Sequence, residues 1–199
     1  MKIIGIEIYK IDELQGKAKE KAIQNIKKLI VEFNFENFES DCDLFIGDEL
    51  GIKGNIVYSL SSCQGDGLRI ESPNFNSDKI ITMLDLDEST KQTIKKLNDN
   101  EDLTISTKGQ SRYSYHAESD VLVEFSQDVE SSLPSSLMER ITDAYVELYM
   151  EVCGKLEKQG YECYDVAIFD IIEFANEFNY EYFENGDIFN GKQERTIKE

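Results

Sequence analysis

Tyr58-Ser59-Leu60-Ser61-Ser62-Cys63-Gln64-Gly65-Asp66-Gly67 is the stretch that decides how this chain folds. An alternating apolar run, Ile56 to Leu60, enters it, and Leu68-Arg69-Ile70 resumes the alternation. A period of two is the pattern of a half-buried strand. Between the runs, Gly65 and Gly67 flank Asp66, and glycine permits positive φ or close backbone approach. The stretch therefore predicts strand, tight turn or bulge, then strand.

Working outward, Lys2 to Tyr9 alternates and predicts a further strand, with Ile4, Ile6 and Ile8 on one face. Asp12 and Gln15 have capping-box spacing for a helix carrying Leu14, Ala18, Ala22 and Ile26. A second amphipathic helix is expected over 34–50, where Phe35, Phe38, Cys42, Phe45 and Ile46 recur at three- and four-residue steps and the chain changes sign. Residues 79–84 fit a short helix or a strand. Asp87 or Ser89 caps a helix to about Leu97. Leu103 to Thr107 and Val121 to Phe125 are strands. The longest helix starts at Leu133-Pro134 and runs to about Gly160. Val166 to Phe178 is another, with Ile168 or Phe169, Ile172, Ala175 and Asn176 as its stripe. Asn185-Gly186 then signals a type I′ hairpin. The order predicts an α+β fold: a mostly antiparallel sheet of about four to five strands, helices packed on one face, and a small C-terminal hairpin. One domain over 1–191 and a frayed tail over 192–199 complete the expectation.

Composition narrows the function classes. The 199 residues carry 21 Lys+Arg against 40 Asp+Glu, a net charge of −19. Such a field repels nucleic acid and anionic membrane and favours basic partners. The first 33 residues are the exception, with seven lysines against five acids. No apolar run approaches a membrane span. Cys42, Cys63, Cys153 and Cys163 have no CxxC spacing, and His116 is the one histidine. The sequence thus points to reduced thiols in a cytosolic setting, with no metal site and no cofactor. Asp41-Cys42-Asp43 with Asp48 and Glu49 is not a calcium loop, because Phe45 stands where an oxygen ligand is needed. No phosphate-binding glycine loop and no serine-nucleophile elbow occurs.

Three segments together resemble a family of small phage and prophage proteins to which no reaction is assigned. The segments are Tyr9-Lys10-Ile11-Asp12-Glu13-Leu14 with Ala18, Ala22 and Ile23; Tyr58-Ser59 with Gln64-Gly65-Asp66-Gly67; and Ala175-Asn176-Glu177-Phe178 with Tyr182-Phe183-Glu184-Asn185-Gly186. A Tyr-x-x-His element of that family is similar to Tyr113-Ser114-Tyr115-His116. The family places an aromatic just before Gln-Gly-Asp-Gly, where this chain has Cys63. The resemblance implies a phage or mobile-element origin and a place in the host cytoplasm.

Two kinds of site are in view. Gln64, Asp66, Tyr113 and His116 could form a ligand pocket, with backbone N–H groups of the Gly-Asp-Gly turn as an anion nest. Cys63, His116 and Asp66 could even form a nucleophilic set. Against this, Gly-Asp-Gly is also what a structural turn uses. The other kind is an acidic face made of Glu36, Glu39, Asp41, Asp43, Asp48 and Glu49 together with Glu173, Glu177, Glu181 and Glu184. It would meet a basic, nucleic-acid-binding host protein by imitating phosphate charge, with no direct contact to nucleic acid or membrane. Acidity serving solubility alone is the plainest reading. The sequence favours a binding protein over an enzyme and assigns no catalytic residue.

Overall fold

The computed structural model describes residues 6–61, 66–107 and 120–190. The fold is α+β. The chain divides into two compact units, Met1–Glu36 with Cys163–Glu199, and Asn37–Glu162.

Helix α1 runs unbroken over Gly16–Leu44. The two helices expected here are one, because the boundary inferred near Asn34 is a change of charge and not of backbone chemistry. No glycine or proline stands between Lys17 and Ile46, and nothing else in that span forces the helix to stop. A π-helical turn, Phe45–Glu49, follows, and Gly51 ends the excursion at φ +65°. Asp12 is not the N-cap. It lies in a turn before the helix, where its Oδ2 accepts from Asn176 Nδ2 at 3.0 Å.

In the first unit, Tyr9 and Tyr182 exchange two backbone hydrogen bonds of 2.9 Å. That single bridge is what the described part of the expected N-terminal strand forms; residues 1–5 lie outside the described residues. Ile11, Leu14, Ala22 and Ile26 pack with Ile171, Ala175 and Tyr182 in one buried cluster. Helix α6, the last in chain order among the described residues, supplies the second set over Ile168–Glu177. The C-terminal hairpin closes through a bridge between Tyr182 and Ile188. Its turn is not type I′, which needs positive φ at both central residues. Gly186 N–H donates to Phe183 O at 2.9 Å and only Gly186 is left-handed, at φ +83°. The central residues are therefore Glu184 and Asn185, with Gly186 as the bulge.

In the second unit, β1 (Asn55–Ser59) pairs antiparallel with β2 (Gly67–Glu71), and β3 (Leu103–Thr107) with β4 (Val121–Phe125). Among the described residues the four strands form two two-stranded sheets, not one sheet of four or five. The reason is visible just past β2. Thr107 N–H donates to Ser72 O at 2.9 Å and Phe75 N–H to Ile105 O at 2.7 Å, so the chain here runs beside β3. Pro73 sits between those bonds and has no N–H to continue a ladder. Thr107 Oγ1 joins the seam by donating to Ile70 O at 2.8 Å.

Helices α2 (Asp78–Met83), α3 (Glu88–Asp99) and α4 (Gln127–Ser132) each start at a side-chain cap. Ser77, Asp87 and Ser126 accept from the backbone N–H three residues on, at 3.2, 3.0 and 3.4 Å. Each bond satisfies one of the N–H groups a helix start leaves open. Helix α5 covers Ser135–Glu162, with Pro134 O accepting from Leu137 and Met138. It packs on β2 and β4 and buries Ile141, Tyr145, Leu148, Tyr149 and Val152. Phe75 meets Tyr149 edge to face at 5.8 Å.

Candidate functional site

Asp66 is the one residue of the proposed ligand pocket within the described residues. Gln64, Tyr113 and His116 lie outside them, as does Cys63. Asp66 Oδ1 accepts from the Ser59 hydroxyl at 3.0 Å and from the Ser61 hydroxyl at 3.3 Å. Ser59 pairs with Gly67 in the β1–β2 register, so the carboxylate ties the end of one strand to the start of the next. These bonds are the local side-chain closure a tight connection uses.

The thiols offer no nucleophile among the described residues. Cys42, Cys153 and Cys163 are buried. Burial pushes the Cys153 thiol up from 9.0 to about 12, so it stays protonated and unreactive at neutral pH. No three His, Cys, Asp or Glu side chains come together to hold a metal ion among the described residues. No described helix is long and apolar enough to cross a membrane.

The acidic residues divide between the two units. In the second, Glu39, Asp41, Asp43, Asp48 and Glu49 follow one another along the end of α1 and the π-helical turn, all exposed. Glu39 accepts from the Tyr58 hydroxyl, and Lys79 donates to the backbone oxygen of Asp48 and not to its carboxylate. In the first unit Glu36, Glu173, Glu177 and Glu184 are exposed. Glu181 is half-buried and paired with Lys10 at 3.3 Å. Of the ten carboxylates, it alone takes part in an ion pair among the described residues.

The stripe expected on α6 is displaced. Ile171 and Ala175 are its buried residues, while Ile168 and Phe169 are exposed. Phe169, Ile172, Glu173, Asn176 and Glu177 line a shallow groove on the outward side. Apolar periodicity alone concealed this, because α6 has apolar residues on more than one face. The signal lay in Ile171 and Ala175, a four-residue step shared with no acid.

Comparison with family models, curated proteins and solved structures finds no significant match to the chain.

Proposed function

We propose that this is a non-enzymatic, acidic binding protein of phage origin. It acts in the host cytoplasm by occupying and inhibiting a basic, nucleic-acid-binding host protein. The observation that carries the reading is the state of the carboxylates. Nine of the ten residues considered are exposed and lack an ion-pair partner among the described residues. With 40 acids against 21 bases, at least 19 acids have no cation to match one to one. Unneutralised, exposed charge speeds association with an oppositely charged surface and selects against anionic partners. Carboxylates can then stand where phosphates would on a nucleic-acid groove.

The experiment is affinity capture from host lysate at low and at high salt, with mass spectrometry of what is retained and measurement of any nucleic acid released. The expected result is a basic, nucleic-acid-binding protein held at low salt and lost steeply as salt rises, because exposed charges are screened. Affinity that does not change with salt overturns the reading.

A further inference from the structure

Helix α6 gathers on ten residues several features that do not favour an isolated helix. Ala167 stands at its N-cap and offers no side-chain bond, where α2, α3 and α4 are each capped. Glu173 and Glu177 stand at i,i+4 spacing with like charge, and Glu177 lies at the negative end of the helix dipole. Phe169 is 73% exposed and Ile168 63% exposed. Each of these choices works against the free helix. Local rules broken together at one surface are the pattern of a surface kept for binding.

We propose that the outward face of α6 is a docking surface, and that its occupant is a basic amphipathic helix of a partner protein. The apolar strip of that helix seats against Phe169 and Ile172, and its flanking Lys or Arg side chains meet Glu173 and Glu177. The inference rests on the proposed function and names the surface and the partner chemistry for it. Charge complementarity selects the occupant. Residues 161–191 hold eight acids and no base, and Asp170, Glu173 and Glu177 are exposed with no ion pair among the described residues. The same face of a second copy would set acid against acid, and a nucleic acid or an anionic membrane would be repelled. The chain's own residues 192–199 carry Lys192, Arg195 and Lys198 but one large apolar residue, Ile197, too few for an apolar strip. A helix laid in a groove by anchors one helical turn apart fits all these terms.

The test is fluorescence anisotropy of the full chain with a labelled Leu/Lys peptide of helical amphipathic spacing, beside a scrambled peptide of the same composition. The amphipathic peptide is expected to bind at least about tenfold tighter than the scrambled one. Phe169→Ser should remove that preference while circular dichroism shows an unchanged fold. Glu177→Lys should weaken binding by a similar factor while Tm holds or rises, because the change relieves a like-charge pair and suits the helix end. A residue of merely structural importance would lower Tm instead. Equal binding of both peptides, unaffected by Phe169→Ser, overturns this face and leaves the wider reading standing. Binding of neither, with no salt-sensitive partner captured from lysate, overturns both. A dimer seen by light scattering and dissolved by Phe169→Ser would assign the face to a second copy. A tenfold gain in peptide affinity on deleting 192–199 would assign it to the chain's own tail. Either result overturns the proposal.

Discussion

The Ser59 hydroxyl donates to the Asp66 carboxylate at 3.0 Å, across the connection between β1 and β2. The pair is half-buried and Ser61 adds a second donor. Asp66→Ala should therefore cost about 1 kcal/mol in urea unfolding, the order of a partly solvated hydrogen bond to a charged group. Partner binding by the folded variant should be unchanged. A variant of wild-type stability that has lost its biological activity would instead make Asp66 a ligand contact.

Two buried tyrosines should respond oppositely to loss of the hydroxyl. Tyr145 donates to Asn76 Oδ1, and Asn76 in turn donates to Asn98 Oδ1 at 2.8 Å. Tyr145→Phe leaves a buried acceptor short of its donor and should cost about 1–3 kcal/mol. The Tyr182 hydroxyl is buried in the aliphatic cluster with no hydrogen-bond partner among the described residues. Tyr182→Phe should change stability by no more than about 0.5 kcal/mol or raise it, since a desolvated polar group is removed. Equal losses from both would contradict this account.

Acid should loosen the start of α3. The Ser89 hydroxyl, then the Thr90 hydroxyl and N–H, then the Arg140 guanidinium hold the Asp87 carboxyl well below the usual carboxylate range. Its folded pKa lies below its unfolded one, so the unfolded chain takes up the proton first as pH falls. The stabilisation is complete above about pH 5 and is lost progressively below about pH 4. Urea midpoints measured across that range should fall, and Asp87→Asn should flatten the fall.

Alkali acts with the opposite sign. Burial raises the Cys153 thiol from 9.0 and the Tyr182 hydroxyl from 10.0, both to about 12. The unfolded chain ionises these groups first as pH rises. The stability they contribute is full below about pH 8.5 and is lost between there and about pH 12. Cys153→Ser should move the alkaline unfolding midpoint measured by circular dichroism; an unmoved midpoint would count against the thiol as a cause.

Gly186→Ala should be among the most damaging single changes. A Cβ there would lie 2.1 Å from the backbone oxygen of Ala18, at a φ of +83° that side chains rarely adopt. Backbone cannot yield as a side-chain tip can, so a loss of about 3 kcal/mol or more is expected in urea unfolding.

How much the sequence disclosed depended on the range of the interaction involved. Asp87 was legible as a cap because its capping bonds reach only three residues along the chain. The strands β1 to β4 were legible from alternation, and the exposure of Asp41 or Asp48 from the cost of burying a charge. Their assembly was not, since the role of Pro73 beside β3 depends on the bonds between its neighbour Ser72 and Thr107, 35 residues further on. The unity of α1 was hidden by the change of charge near Asn34. Helix α4 was missed because Gln127 to Ser132 has a single buried residue, Val129, and so no period to detect. The buried face of α6 was not legible, because Ile168 or Phe169 fits an apolar stripe as well as Ile171 does, and apolar residues are often left in water.

The first unit is built from two segments separated by the whole of the second, and this bears on the order of events during synthesis. Ile11, Leu14, Ala22 and Ile26 leave the ribosome early, while Ile171, Ala175 and Tyr182 leave it late. The whole span Asn37–Glu162 can collapse in between. The early apolar face of α1 therefore waits, half-dressed, until Ile171, Ala175 and Tyr182 have been made. A stalled nascent chain ending before Cys163 would carry that face bare, a natural handle for chaperones and proteases.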